Sequence, residues 1–247
     1  MRARRKVLRL DLEKGKGEWE EDLVAADRSV LLVVNGSPLT VLPSSPRNLR
    51  ELALGHLFGE GMISSPEEVE GVRVKGERVE VRVRGERRTE ALDPVELAGR
   101  LPRPPPTTFD PSVLLSPFRS LLPRSPIFRS TGGTHVAALV TREGEVVARM
   151  EDVSRYGAVD KVLGKALLLG TDFSSTFLAL SGRVAGEVVV KALRAGIPLV
   201  ASKAAPLLSG ILAAEAGGLT LVCFARGSRL NVYTHPERVG GTRGKEL

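Results

Sequence analysis

Short runs of polar and glycine residues recur in the second half of the chain, each beside a predicted strand. Glycines let a phosphate approach the backbone closely, and Arg or Lys side chains neutralise its charge. Carboxylates can accept hydrogen bonds from the N–H edge of a guanine or pterin ring. The runs are Ser130–Thr134, Glu151–Arg155, Ser181–Arg183, Ala201–Lys203 and Phe224–Arg229. Together these residue types predict a site for an anionic ligand that carries a purine-type ring.

The elements between these runs decide whether they meet. Apolar periodicity and turn residues predict a hairpin followed by alternating helices and strands. The predicted strands are His135–Val140, Glu145–Met150, Phe177–Ser181, Ile197–Ser202 and Leu219–Ala225, and the predicted helices are Ala158–Leu169, Gly186–Ala195 and Pro206–Ala216. This order, with its short connections, predicts a three-layer α/β sandwich whose later strands are parallel.

Ligands of an open parallel sheet bind beyond the carboxyl ends of its strands, so the last three runs reach one edge. The first two runs reach the same edge if the strand that starts at His135 is antiparallel to the others. The residues that we expect to contact the ligand are Thr131, Gly132, Gly133, His135, Glu151, Asp152, Arg155, Ser181, Gly182, Arg183, Phe224, Ala225, Arg226, Gly227, Ser228 and Arg229.

Each of these residues also has a purely structural interpretation. The run Thr131–Gly133 can be only a turn, and Asp152 can cap the helix that follows it. Arg155 and Arg226 can be solvated surface charges, and His135 can be a buried histidine with a structural partner. The shared edge is what favours a binding site over these separate interpretations.

Cysteine and histidine are too scarce for several kinds of chemistry. The single cysteine, Cys223, excludes a disulfide within the chain and any zinc site built on cysteine pairs. The three histidines are far apart in sequence, and nothing indicates a metal site. Cys223 lies in an apolar run beside the Phe224–Arg229 segment, so it is a small buried hydrophobe or, as the alternative, a candidate thiol for catalysis.

The first part of the chain predicts a smaller α+β domain. Strands at Val30–Val34 and Pro38–Leu42 are joined by Asn35-Gly36, which is typical of a tight hairpin turn. A helix is expected to open at Ser45-Pro46, and a second hairpin to turn at Gly76. Half of the 16 prolines fall in residues 102–126, which predicts a linker between a domain of residues 1–101 and one of residues 127–247.

Composition narrows the classes of function. The net charge of +7 falls entirely on residues 102–247, because residues 1–101 carry 18 Lys and Arg against 18 Asp and Glu. A basic second part predicts an anionic partner. Nucleic acid is the alternative ligand, but the 4% aromatic content disfavours base stacking. No apolar run is long enough to span a membrane, and the basic start has no apolar segment behind it, so we expect a cytoplasmic protein.

Several motifs in register resemble the formate dehydrogenase accessory protein family, FdhD/NarQ. In the first part they are Val34-Asn35-Gly36, Glu51–Gly55 and Glu60–Ile63. In the second part they are Thr131–His135, the run EDVSRYGAVDKVLG at Glu151–Gly164, Ser181-Gly182-Arg183, Ala195–Pro198, Phe224-Ala225-Arg226 and Asn231–Arg238. The resemblance covers most of residues 28–238.

The resemblance implies a cytidine-deaminase-like fold for the C-terminal domain and a homodimer. It implies a sulfur carrier that takes persulfide sulfur from a cysteine desulfurase. The sulfur passes to molybdenum bis(molybdopterin guanine dinucleotide), which is then inserted into formate dehydrogenase. The family's cofactor-contact stretch corresponds to Phe224–Arg229, so a GDP-like fragment is expected to bind there. Hydrolytic deamination is excluded, because no cysteine pair follows His135 to complete a zinc site.

One difference between this sequence and the family's usual pattern bears on sulfur transfer. Family members resembling this chain typically carry a Cys-x-x-Cys loop before the Thr-Gly-Gly motif, and one of its thiols holds the persulfide. Here that region is the proline-rich stretch, which has no cysteine. Whether the chain is a sulfurtransferase therefore stays open, and the alternative is a cofactor-binding chaperone without sulfur transfer.

Overall fold

The computed structural model describes residues 1–85, 92–120 and 124–240. Its centre is a six-stranded sheet in the order β12-β11-β10-β9-β7-β8. The strands are β7 (His135–Thr141), β8 (Val146–Asp152), β9 (Thr176–Leu180), β10 (Leu199–Ser202), β11 (Thr220–Arg226) and β12 (Arg229–Val232). Strands β9, β10 and β11 are parallel, and β7 is antiparallel to β8 and β9. The predicted strands and their directions are confirmed, and β12 is an additional strand.

Helices cover both faces of this sheet. On one face lie α5 (Arg155–Leu168), α6 (Gly186–Arg194) and α7 (Leu208–Gly217), with α2 (Pro94–Arg100) packed on α7. On the other face lies α3 (Pro111–Ser120), whose Leu114 and Phe118 are buried against the strands. This is the predicted three-layer α/β sandwich. None of the helices in the described ranges is long and apolar enough to cross a membrane.

The N-terminal α+β part contains a second sheet of four strands. They are β3 (Arg28–Val34), β4 (Ser37–Ser44), β5 (Val69–Lys75) and β6 (Arg78–Val83), in the order β4-β3-β6-β5. Asn35 and Gly36 both have positive φ, as the predicted hairpin turn requires, and so does Gly76. Helix α1 (Leu49–Gly59) begins later than predicted. Ser45 is held instead by two hydrogen bonds: its backbone N–H donates to Asp152 at the end of β8, and its hydroxyl accepts from the backbone N–H of Val153.

One hydrophobic core joins the two parts. Helix α1 packs on α5 so closely that Gly55 and Gly164 meet at backbone distance. A Cβ on Gly55 would lie 1.7 Å from the Asp160 carbonyl oxygen, and one on Gly164 would lie 2.0 Å from that of Glu51. The buried cluster runs without a break from Val30 in β3 to Cys223 in β11. The boundary between two domains stays a prediction.

The described part of the proline-rich stretch before α4, residues 102–120, packs against the rest of the chain. It contains α3, with Pro117 inside the helix, and its Phe109 is 1% exposed and bridged to Val239. The chain then forms α4 (Pro126–Thr131), a short helix that leads into β7. Residues 102–120 therefore contribute to the layer on the α3 face of the sheet, and residues 121–123 of the predicted linker lie outside the described residues.

A long β-ribbon precedes all of these elements. Strands β1 (Arg2–Asp11) and β2 (Lys16–Ala25) pair in antiparallel register and form their own two-stranded sheet. The basic residues of β1 face acidic residues of β2, as in the ion pair of Arg9 with Glu20. From the sequence alone, this region shows only a basic start and not a pair of strands. The end of β2 packs on α4, beside the predicted site.

Candidate functional site

A cavity of about 440 Å³ opens at the edge of the six-stranded sheet where the predicted runs end. It is lined by Phe128, Gly132, Gly133, Thr134, His135, Val136, Ser181, Lys203, Ala204 and Arg226. These residues come from the α4–β7 turn and from the ends of β9, β10 and β11. The structure therefore brings the Gly132 turn and Arg226 to one rim, as the sheet-edge argument predicts. The size is that of a small-molecule pocket.

Helix α4 presents the glycine turn to this cavity. Glu151 accepts hydrogen bonds from the backbone N–H groups of Ile127 and Phe128, so its carboxylate caps the helix. The helix ends at Gly132, which has a positive φ of 64°. Gly133 must lack a side chain, because a Cβ there would lie 2.8 Å from the Cβ of Ala25 in β2.

His135, the first residue of β7, lines the cavity. Its ring lies against Gly182, where an added Cβ would be 3.1 Å from Nδ1 and 3.2 Å from Cβ of Arg155. Burial, and then the positive charges of Arg155 and Arg183, lower the pKa of His135 below its ordinary value. The imidazole is therefore neutral at pH 7 and can both donate and accept a hydrogen bond.

The ends of the parallel strands are tied together by hydrogen bonds. Ser181 accepts from the backbone N–H of Val136 at 2.9 Å, and buried Ser202 donates to the Gly182 carbonyl at 2.6 Å. The Arg226 Nε donates to the Lys203 carbonyl at 2.8 Å. These bonds hold the Arg226 side chain and the Lys203 backbone at the cavity wall.

A β-bulge sets the position of Arg226. The register of β11 with β12 shifts between Cys223 and Arg226, and Phe224 has a positive φ of 51°. Non-glycine residues rarely adopt this conformation, and bulges re-aim side chains near binding sites. The guanidinium of Arg226 lies 5.5 Å from the centre of the Phe224 ring.

Part of the predicted segment after β11 lies away from the cavity. Gly227 and Ser228 form the exposed turn to β12, in which Arg229 is the first residue. The Gly227 carbonyl accepts from Arg119 of α3. Ala225 is buried in the core on the α3 face. These residues support the bulge rather than line the cavity.

The predicted acidic pair does not reach the cavity. Asp152 is fully buried, forms an ion pair with Lys161, and accepts hydrogen bonds from Ser44 and from the Ser45 backbone N–H. Its carboxylate thus joins β8 and α5 to the N-terminal part. Glu151 caps α4, as described above. Neither carboxylate lines the cavity, and recognition of a guanine or pterin edge by this pair stays a prediction.

Arg155 and Thr131 line a second cavity instead. This cavity, of about 660 Å³, adjoins the first through Gly133 and His135, which line both. Gly182 separates His135 from Arg155 at the boundary, and Arg183 is exposed outside. The single predicted site is therefore divided into two adjacent cavities.

Five lining residues are absent from the expected contact residues, although Thr134 and Lys203 belong to the predicted runs: Phe128, Thr134, Val136, Lys203 and Ala204. Phe128 is 44% exposed and offers the cavity an aromatic surface on which a base can stack. The sequence offers a signal for Phe128. Pro126 predicts the start of a helix, and a residue one helical turn before the Gly132–Gly133 run lies on the same side of that helix as the glycines.

Cys223 lies on the inner face of β11, under the helices. It is fully buried, and burial raises the pKa of its thiol to about 12. The thiolate is the reactive form of cysteine, so this residue is unreactive at neutral pH. It does not line either of the two cavities at the sheet edge.

Comparison with known proteins identifies the family. The model of the FdhD/NarQ family matches residues 25–240. The chain belongs to the FdhD/NarQ family. The match spans both the four-stranded sheet and the six-stranded sheet, so the FdhD/NarQ unit includes the N-terminal α+β part as well as the sandwich.

Relatives of the FdhD/NarQ family cover nearly the whole chain. The sulfur carrier protein FdhD of Methanothermobacter thermautotrophicus is 36% identical over 87% of this chain and 91% of its own length. That of Sulfolobus acidocaldarius is 35% identical over 95% and 98%. A crystal structure described as a formate dehydrogenase accessory protein of Desulfotalea psychrophila superposes with a TM-score of 0.82 at 28% identity, covering 96% of this chain and 99% of that one.

Proposed function

We propose that this protein assists the maturation of formate dehydrogenase by binding molybdenum bis(molybdopterin guanine dinucleotide). One guanosine diphosphate end of the cofactor would occupy the 440 Å³ cavity. The observation that carries this proposal is the meeting of the Gly132–Gly133 turn, His135, Lys203 and Arg226 on one rim. Membership of a family with members described as formate dehydrogenase accessory proteins supports the choice of client.

The lining residues suit the two parts of a nucleotide end. Lys203 and Arg226 supply positive charge for the diphosphate, and the glycine turn lets it approach the backbone. Phe128 offers a face on which the guanine ring can stack. Neutral His135 can donate a hydrogen bond without adding another positive charge to the cavity.

Sulfur transfer through a persulfide requires a reactive thiol on the protein. A persulfide forms on an accessible thiolate, and the one cysteine of this chain is buried with a raised pKa. We therefore propose that the protein holds and presents the cofactor, and that Cys223 does not carry the sulfur. A cysteine desulfurase would remain the sulfur source and a partner, with the protein acting as a homodimer.

Calorimetric titration with GDP tests cofactor binding. We expect wild-type protein to bind GDP and Arg226→Ala to bind it about 10- to 100-fold more weakly, because one charge-assisted contact is lost. Arg142→Ala is the matched control, since Arg142 is an exposed arginine at the β7–β8 turn, paired with Glu143. Absence of heat with folded wild-type protein at millimolar GDP, or equal affinity of the Arg226 and Arg142 variants, would overturn the proposal.

A further inference from the structure

A third cavity, of about 290 Å³, lies where α1, α5 and α6 meet the end of β4. Leu42, Pro43 and Leu52 give it an apolar wall, and charged side chains and an imidazole line the rest. It shares no lining residue with the 440 Å³ cavity, so it is separate from the proposed cofactor site. Its volume is at the lower end for small-molecule sites, and a compact ligand fits it best.

A network of two cations and two carboxylates forms one side of this third cavity. The buried Lys191 ammonium forms ion pairs with Asp160 and, at 3.2 Å, with Glu60. Arg194 lies 3.7 Å from the other Glu60 oxygen and donates to the Gly59 carbonyl. The four charges balance one another, so the network by itself does not require a charged ligand.

His56 offers the third cavity a free ring nitrogen. Its Nδ1 lies 3.2 Å from Oδ2 of Asp160. Burial acts to raise the pKa of Asp160, but Lys191 and His56 outweigh it and hold that pKa below its ordinary value. The ionised carboxylate can only accept, so Nδ1 of His56 carries a proton. In the neutral imidazole, Nε2 is then an acceptor, and it has no hydrogen-bond partner within the described ranges.

Glu187 determines the sign of the charge in the third cavity. It lies exposed in the first turn of α6, lines the cavity, and forms no ion pair with any residue that the structure describes. Asp160, Glu60 and Glu187 stand against Lys191 and Arg194, which leaves one net negative charge when the imidazole is neutral. A cavity of this charge favours a cation.

We propose that the third cavity binds an ammonium or guanidinium group carried on a short apolar chain. Glu187 pairs with the cation, and Nε2 of His56 accepts one of its N–H groups. The apolar wall at Leu42, Pro43 and Leu52 contacts the chain that carries it. Such a group belongs either to a free alkyl amine or to a lysine or arginine side chain of another protein.

Nuclear magnetic resonance of the histidine rings in the full chain tests this proposal. The chain has three histidines, and His56→Gln assigns the signal of interest. If that variant does not fold, His135→Gln and His235→Gln assign the signal by elimination. The cationic probes are n-butylammonium and Nα-acetyl-lysine amide, and n-butanol is the uncharged match of the first. We expect both cationic probes, and not n-butanol, to shift the His56 signal.

A change at Glu187 measures the contribution of the unpaired carboxylate. We expect Glu187→Gln to weaken binding of both cationic probes by about 3- to 10-fold, because one charge-assisted contact is lost. Glu187 is exposed, so this variant keeps the buried network intact. Glu143→Gln, at the exposed β7–β8 turn, is the matched control and should leave the affinity unchanged.

The two cationic probes also distinguish the sources of the ligand. Tighter binding of the lysine amide would support a protein side chain, and tighter binding of n-butylammonium would support a free amine. Three results would overturn the proposal: no shift of the His56 signal by either cation, an equal shift by n-butanol, or unchanged affinity in Glu187→Gln. None of these results would affect GDP binding at Arg226, because the two cavities have no lining residue in common.

Discussion

Glu151 and Asp152 are neighbours in sequence but lie on opposite faces of β8. Successive side chains of a strand point to opposite sides, so one carboxylate caps α4 and the other enters the core beside Lys161. The sequence shows two adjacent acids after a strand, which is also the pattern of a ligand-binding pair. Only the register with β7 decides between these roles, and register depends on the tertiary structure.

The Asp152–Lys161 pair predicts a large effect on stability. We expect Asp152→Ala to lower the free energy of unfolding by about 3–5 kcal/mol, because it leaves the Lys161 ammonium buried without its partner. Urea denaturation followed by circular dichroism measures the change. Glu143→Ala, at an exposed ion pair, is the control and should cost less than about 1 kcal/mol. A similar small loss for Asp152→Ala would contradict the structural role.

The burial of Cys223 predicts that its thiol is unreactive in the folded protein. We expect the native protein at neutral pH to react with a thiol reagent such as DTNB only at the rate of unfolding, because the sulfur is buried and protonated. In denaturant, one thiol per chain should react at once. Rapid labelling of the folded protein would show that Cys223 is accessible, and would restore it as a candidate persulfide carrier.

The lowered pKa of His135 predicts that the folded protein loses stability in acid. Its pKa is lower in the folded chain than in the unfolded chain, so the unfolded state binds more protons as the pH falls below the ordinary histidine value. We expect the free energy of unfolding to decrease between about pH 7.5 and about pH 5.5, and to decrease less in His135→Gln. Equal pH dependence of wild type and His135→Gln in urea denaturation would show that this histidine is not the titrating group.

At the scale of elements, the strands that the sequence predicted are those with uninterrupted apolar runs. Strands β9, β10 and β11 are buried on both faces, and this pattern is legible without tertiary information. The β1–β2 ribbon was missed because many of its residues are charged, so the alternation of apolar and polar residues that indicates a strand is not clear. Strand β12 was missed because it has only four residues and the bulge at Phe224 shifts its pairing with β11.

The contact between α1 and α5 predicts sensitivity to a single methyl group. We expect Gly55→Ala to destabilise the protein by at least about 1–3 kcal/mol, because the added Cβ overlaps the Asp160 carbonyl and forces the helices apart. Gly99→Ala is the matched control. Its Cβ would meet Ala216 at an ordinary 3.8 Å, and removing a glycine from α2 should be neutral or slightly stabilising. Thermal denaturation compares the two, and equal stability would contradict the close packing.

For the whole molecule, topology explains why the predicted runs converge. The carboxyl ends of parallel strands share an edge, and the antiparallel β7 returns the glycine turn to that edge. Sequence reasoning could not foresee the division into two cavities. It depends on Ala25 of β2 packing on Gly133 and on α5 starting beside β4, and both are contacts between the N-terminal part and the sandwich.

A crystal structure of the protein with GDP tests the central claim most directly. We expect a diphosphate in contact with Arg226 or Lys203, beside the Gly132–Gly133 turn, with the guanine ring against Phe128. GDP bound at another surface, with this rim empty at saturating nucleotide, would contradict it.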